Sequence, residues 1–317
     1  MKIAILDDYQ NLALRLADWT TLKRAHEVTV FNRNLSEAEA VEALEPFDVI
    51  CHIRERMAFP RALIEALPNL KLIVVTGRAH RTLDLAAATE RGILVCNTDG
   101  RPGMDAATPE LAWGLILALA RNIPAETADM TRGGWQTTVG IMLQGRTLGL
   151  LGLGRIGKQM ARYGHAFGMR IMSWSTNLTG ETAHENGAER VSKEELFRQS
   201  DVVSVHLVLG ERSRGVVGAA ELALMKPGAL LVNTSRGPIV QKEPLLAALQ
   251  RGAIRAAIDV YDEEPLPSDD PLRTAPNCLL TPHLGYVTEE VMRAYFEDMV
   301  ADIEAYAAGR PIRVTNR

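Results

Sequence analysis

Leu148-Gly149-Leu150-Leu151-Gly152-Leu153-Gly154-Arg155-Ile156-Gly157 is an apolar run of strand length that stops at a glycine and passes into a helical pattern from Lys158 onward. The glycines at 152, 154 and 157 spell G-x-G-x-x-G between that strand and that helix, which is the order of a dinucleotide-binding turn. In this reading Gly152 allows the tight turn, Gly154 lets the backbone approach a pyrophosphate, and Gly157 lets the helix pack closely on the strand. The phosphate charge then meets a helix N-terminus. Glycine turns also arise for steric reasons alone, so the motif draws its weight from the strand, turn and helix around it.

The flanking pattern agrees. Ile3–Leu6, Val28–Phe31, Val49–Ile53, Leu72–Thr76 and Ile93–Cys96 read as short apolar strands, with helical patterns between them at Leu12–Arg24, Ser36–Leu44, Pro60–Leu67 and Asp84–Arg91. Strands that are apolar throughout and alternate with helices predict a parallel sheet covered on both faces. After the glycine motif, Lys158–Phe167 predicts a helix, and Met169–Trp174, Asp201–Leu207, Ala229–Asn233, Ala256–Val260 and Leu279–Leu280 predict further strands. The first hundred residues therefore form one α/β unit ahead of a second that carries the glycine motif. A glycine- and proline-rich connection, Asn97–Gly103, joins them. Thr108-Pro109-Glu110 then gives an N-cap, a proline at the first helical position and an early acid. The helix that follows, Leu111–Ala120, is apolar on nearly every side and ends at Arg121-Asn122-Ile123-Pro124. Such a helix must be buried, here against its own sheet and against a second copy, so a homodimer is predicted. A last amphipathic helix is expected from Thr288 to Ala308.

The 317 residues are 47% hydrophobic, enough for a core in each of two domains. A net charge of −4 without a dense Lys/Arg run argues against nucleic acid. No leader-like segment and no charge-free stretch of membrane-spanning length is visible, so the expected compartment is the cytoplasm. Cys51, Cys96 and Cys278 are scattered in apolar runs and read as buried thiols. The seven histidines show no metal-ligand spacing, so no metal is expected.

Three residues stand out as carriers of chemistry. Arg236 follows the strand Ala229–Asn233, Glu264 follows Ala256–Val260, and His283 follows Leu279–Leu280. Each alone has an ordinary reading as a loop residue, but ligands of open α/β sheets bind beyond the carboxyl ends of the strands. Arginine can clamp a carboxylate with its planar fork, and histidine suits proton transfer near neutral pH. A carboxylate beside the imidazole orients it and selects its tautomer. The set fits hydride transfer to a nicotinamide coupled to proton transfer. At the end of the strand Met169–Trp174, where an NAD site carries an acid for the ribose diol, the chain reads Trp174-Ser175-Thr176-Asn177, with no arginine alongside.

These residues resemble the D-isomer-specific 2-hydroxyacid dehydrogenases, the group of phosphoglycerate dehydrogenase, glycerate dehydrogenase and hydroxypyruvate reductase. The resemblance covers essentially the whole chain. It rests on Gly149–Gly157, on Met225–Gly228 through Val232-Asn233-Thr234-Ser235-Arg236-Gly237-Pro238-Ile239-Val240, on Asp259-Val260-Tyr261-Asp262-Glu263-Glu264-Pro265-Leu266, and on Thr281-Pro282-His283-Leu284-Gly285. It implies an α/β fold of two doubly wound parallel-sheet domains, with a Rossmann-type cofactor domain (residues 101–285) inserted into a flavodoxin-like substrate domain (residues 1–100 and 286–317). It also implies Arg236, Glu264 and His283 as catalytic residues, and Thr108–Ala120 as a dimerisation helix. Implied cofactor contacts are Gly152, Gly154, Arg155, Ile156, Gly157, Ser175, Thr234, Asp259, His283 and Gly285. The cofactor is NAD or NADP, with NAD slightly ahead although Ser175 replaces the usual aspartate. Substrate contacts would be Arg236 and, in a loop Thr76–Thr82 that lacks the family's second glycine, Gly77, Arg78 and Ala79. Arg54, Arg56, Arg78 and Arg81 could receive an acidic substrate. The resemblance thus implies an oxidoreductase acting on a small D-2-hydroxy or 2-oxo acid. An alternative of another class is a dinucleotide-sensing, corepressor-like interaction protein of the same fold, although its extra tails are not seen here. Formate-type enzymes pair the histidine with glutamine, so Glu264 argues against them.

Overall fold

Short strands that are apolar on both faces can persist only in the middle layer of a three-layer α/β unit, and the chain builds two such units. A computed structural model describes residues 1–77 and 81–316. One unit comprises Met1–Met104 with Val287–Arg317, the other Asp105–Tyr286. In the first, β1 (Lys2–Ile5), β2 (Glu27–Val30), β3 (Val49–His52), β4 (Leu72–Val75) and β5 (Leu94–Asn97) form a parallel sheet in the order β2-β1-β3-β4-β5. In the second, β6 (Thr147–Leu151), β7 (Arg170–Trp174), β8 (Glu189–Arg190), β9 (Val202–Val205), β10 (Ala229–Asn233), β11 (Ile254–Ile258) and β12 (Cys278–Leu280) pair in parallel as β12-β11-β10-β9-β6-β7-β8. The first order is flavodoxin-like and the second is the doubly wound nucleotide-binding order, reversing direction between β6 and β9. Among the described residues, no helix is long and apolar enough to cross a membrane.

The helices correct the reading of the sequence in several places. The pattern at Leu12–Arg24 breaks into Ala13–Leu16 and Thr20–Ala25, because Trp19 turns inward, buries its ring and donates its indole N–H to the Ala13 carbonyl at 2.8 Å. Thr108 is not an N-cap. A short 3₁₀ turn, Met104–Ala106, leads directly into the helix Ala107–Ala120, and Thr108 lies inside it. That helix buries Ala112, Leu115, Ile116 and Leu119 and packs on β10, on β11 and on the helix Arg155–Ala166. Beyond it Asn122 takes a left-handed conformation and a second helix, Ile123–Thr131, begins with Pro124 in its first turn. A proline in a helix's first turn starts a helix as readily as it stops one. Where the glycine turn ends, the helix begins at Arg155, three residues before the periodicity suggests.

The last helix, Glu289–Ala307, is capped by the Thr288 hydroxyl and buries Met292, Phe296, Met299 and Ile303 within the first unit. It also buries acids. Asp298 accepts the Asp99 and Gly100 amides at 3.1 and 3.3 Å and the Arg101 guanidinium at 2.9 Å. Asp302 accepts from Arg313 Nε at 2.9 Å through one oxygen, and its other oxygen has no hydrogen-bond partner among the described residues. Burial pushes the Asp302 carboxyl up to about 7 against the pull of Arg313. An unfolded aspartate titrates near pH 3.9, so the folded chain holds an extra proton between roughly pH 4 and 7. Stability from this group is therefore greatest at the acid end and declines as pH rises to 7. Asp302→Asn removes the titration: in urea unfolding the variant should gain roughly 2 to 4 kcal/mol relative to its parent between about pH 4 and pH 7. A constant difference across that range would refute the assignment.

Candidate active site

The glycine turn follows β6 at the switch point. Gly152 has φ +101°, and a Cβ there would lie 2.8 Å from the His206 carbonyl oxygen. A Cβ on Gly157 would lie 2.1 Å from the Gly152 carbonyl oxygen, so only glycine lets the helix come this close. Gly154 is the N-cap of Arg155–Ala166 and faces open space. This leaves the first helical residues, Arg155 and Ile156, at an unobstructed helix N-terminus suited to a phosphate. Thr234, just past β10, has a buried hydroxyl with no hydrogen-bond partner among the described residues. Both features fit a dinucleotide. Ser175 follows β7 in a cleft of about 570 Å³, which it shares with the loop Leu207–Ser213.

Arg236, Glu264 and His283 follow three strands that are neighbours in the sheet, β10, β11 and β12. The β10 loop is braced by Asn233, whose side chain donates to the Arg236 carbonyl at 2.9 Å and accepts the Ser235 amide at 3.1 Å. Ser235 in turn donates its hydroxyl to the Leu207 carbonyl. A Cβ on the next residue, Gly237, would fall 2.2 Å from the Tyr261 carbonyl carbon, so the β10 and β11 loops touch backbone to backbone. The Tyr261 hydroxyl donates to both the Ile258 and Thr281 carbonyls at 3.0 and 2.9 Å, tying β11 to β12. Its amide donates to Glu264 Oε1 at 2.9 Å.

The other Glu264 oxygen lies 2.6 Å from His283 Nδ1. About a quarter of each side chain is exposed. His283 sits at φ +53°, and its amide donates to the Asp259 carbonyl at 2.8 Å. The buried Asp259 carboxylate accepts the Thr281 hydroxyl at 2.7 Å and the amides of Leu284 and Gly285 at 2.7 and 3.0 Å. Burial raises the Asp259 pKa, while these donors and the nearby imidazole oppose the rise. Thr108 closes the turn by donating to the Gly285 carbonyl at 2.8 Å. His206 offers a contrast: burial pushes its imidazole down to about 3, and Nε2 pairs with the Ser204 hydroxyl at 2.8 Å. It stays neutral near pH 7 and cannot serve as the acid.

Residues 113–285 match the family model for the NAD binding domain of the D-isomer specific 2-hydroxyacid dehydrogenases. The chain belongs to this family. It is 38% identical over 298 residues to D-3-phosphoglycerate dehydrogenase of Methanocaldococcus jannaschii, covering 93% of this chain but 55% of that protein. It is also 39% identical over 266 residues to glyoxylate reductase of Aeropyrum pernix, covering 80% of this chain and 79% of the relative. The chain thus spans about half the length of the first relative and most of the second. Among solved structures, phosphoglycerate oxidoreductase from Vibrio cholerae O395 superposes with a TM-score of 0.91 at 40% identity, covering 98% of this chain and 99% of that one. NAD-dependent formate dehydrogenase from Staphylococcus aureus, in complex with NAD, gives 0.81 at 27% identity, with 99% of both chains covered. The dinucleotide of this family is NAD or NADP.

In the expected substrate loop, the Gly77 amide donates to the Thr98 hydroxyl at 2.7 Å. Arg78 and Ala79 lie outside the described residues. Arg54 covers Gly77 so closely that a Cβ there would overlap its guanidinium, and Arg56 donates to the Asp7 carbonyl at 2.5 Å. Arg81 is exposed, with its amide on Glu55 Oε1 at 3.0 Å. Sequence reasoning passed over Gly237 and Tyr261, whose signal is a close approach between distant residues. Gly237→Ala should push the β11 loop and Glu264 out of line, lowering kcat by about a hundredfold while dinucleotide affinity, followed by fluorescence, moves far less. A kcat close to that of the parent would show that the contact is dispensable.

Proposed function

We propose that the chain interconverts a small D-2-hydroxy acid and its 2-oxo acid with NAD or NADP, His283 acting as the general acid and base. The observation that carries this is the 2.6 Å contact of His283 Nδ1 with Glu264 at the end of β12, beside the loops that bear Arg236 and Glu264. Glu264 accepts the Nδ1 proton, which leaves Nε2 as the nitrogen that exchanges a proton with the substrate. In the reductive direction His283 Nε2 gives its proton to the 2-oxo oxygen as C2 is reduced, and in oxidation it takes the proton of the 2-hydroxyl. When bound, the nicotinamide supplies the hydride for C2 in one direction and receives it in the other. Arg236 clamps the substrate carboxylate and polarises the 2-oxo group. Gly152, Gly154, Arg155, Ile156 and Gly157 would hold the pyrophosphate, Thr234 and Gly285 would contact the rest of the dinucleotide, and Asp259 holds the His283 turn in place.

The first test is loss of reduced-nicotinamide absorbance with NADH and with NADPH over glyoxylate, hydroxypyruvate, 2-oxobutyrate, phenylpyruvate and phosphohydroxypyruvate. Turnover on at least one is expected. His283→Ala should lower it by about 10² to 10⁴-fold with dinucleotide binding retained, and Glu264→Gln should lower it less. Turnover that survives the loss of His283 would remove the general base from this reading.

We further propose that the chain works as a homodimer in the cytoplasm. Helix Ile123–Thr131 and the following loop leave Trp135, Val139 and Met142 at 73, 94 and 78% exposure, beside a groove lined by Leu117, Ala120 and Ile141. Apolar patches of this kind mark interfaces, and cysteines outside any disulfide, such as Cys51 and Cys278, suit a reducing compartment. Light scattering should give twice the chain mass, and Trp135→Glu combined with Met142→Lys should shift it to the monomer. A monomeric parent would contradict the proposal.

A further inference from the structure

We infer that Arg212, with Ser175, Thr176 and Asn177, receives the 2′-phosphate of an adenosine and makes NADPH the preferred dinucleotide. The inference rests on the dehydrogenase reading above and deepens it. The ribose nearest the adenine of a dinucleotide in this fold lies past the end of the second strand from the glycine turn, here β7. An acid at that place accepts the ribose diol and repels a 2′-phosphate. This chain instead ends β7 in Ser175, Thr176 and Asn177, which bring hydroxyls and an amide and no charge.

The cation comes from a different part of the chain. The loop after β9 turns sharply on Ser213, whose hydroxyl accepts the Gly210 amide at 2.9 Å and donates to the Val208 carbonyl at 2.7 Å. The Gly210 carbonyl accepts the amides of Ser213 and Arg214 at 3.1 and 2.9 Å. These bonds hold Arg212 at the tip of a built turn. Its guanidinium reaches across the cleft to Asn177 Oδ1 at 3.3 Å. That is a long, exposed contact to a neutral oxygen, which a phosphate can displace with a shorter, charge-assisted and bidentate one. The cleft has room for such a group, at about 570 Å³. The residues lining it include one cation, Arg212, and one anion, Glu211. Glu211 is the competing group, since an acid in this cleft favours a bare diol.

Titration calorimetry on the full chain separates the two. NADPH should bind at least about tenfold more tightly than NADH, and 2′,5′-ADP should exceed ADP by a similar ratio. Arg212→Ala should collapse both ratios towards one, Arg212→Lys should restore part of them, and Glu211→Gln should raise them. Tighter NADH in the parent, or ratios that survive Arg212→Ala, would each overturn the inference while leaving the dehydrogenase reading intact. Failure of both dinucleotides to bind would overturn the two together.

Discussion

A buried carboxylate holds the His283 turn together. Asp259 is fully buried, and an ion in that position costs several kcal/mol unless its oxygens are well satisfied. Its partners are the Thr281 hydroxyl and the Leu284 and Gly285 amides, all more than twenty residues further along the chain. Satisfying that charge pulls the end of β12 into a turn around it. His283 is then left in a left-handed backbone conformation, φ +53°, that is uncommon for residues other than glycine. The imidazole meets Glu264 at 2.6 Å as a consequence of this framework.

Backbone contact supplies the second half of the constraint. Gly237 against Tyr261 presses the β10 and β11 loops together, and the Tyr261 hydroxyl bridges β11 to β12. Three loops from three neighbouring strands thereby act as one body. A preorganised set of this kind is what proton transfer and carboxylate binding need, since small displacements of either group cost rate steeply. The same device recurs at the glycine turn, where Gly157 closes on the Gly152 carbonyl and frees the helix N-terminus. At both places glycine is needed because two backbones come closer than a Cβ allows.

Much of the molecule was legible in advance. Among the described residues, eleven of the twelve strands announce themselves as apolar runs, and the one not anticipated, Glu189–Arg190, is a two-residue edge strand too short and too polar to carry a pattern. Helix limits were less legible. Trp19 breaks a continuous helical pattern because its ring gains more by burial than by staying on the helix surface, and Pro124 opens a helix where it was read as a stop. Thr108 looks like a cap, yet its hydroxyl closes the His283 turn, a use that no local pattern reveals.

By itself the sequence determined the class of the fold and marked the glycine turn and the three candidate residues Arg236, Glu264 and His283, because each is encoded locally, in strand-length apolar runs, glycine spacing and motifs at strand ends. Only the tertiary structure decided how those residues meet. The His283 and Glu264 pair is 19 residues apart, Asp259 and its partners lie 22 to 26 apart, and Arg212 reaches Asn177 across 35. It also showed that the Gly77 amide donates to Thr98 and that Asp302 is a buried acid with one oxygen unpartnered among the described residues. Hydrogen bonds and close contacts between distant segments depend on strand order and register, and those follow from packing the whole sheet at once.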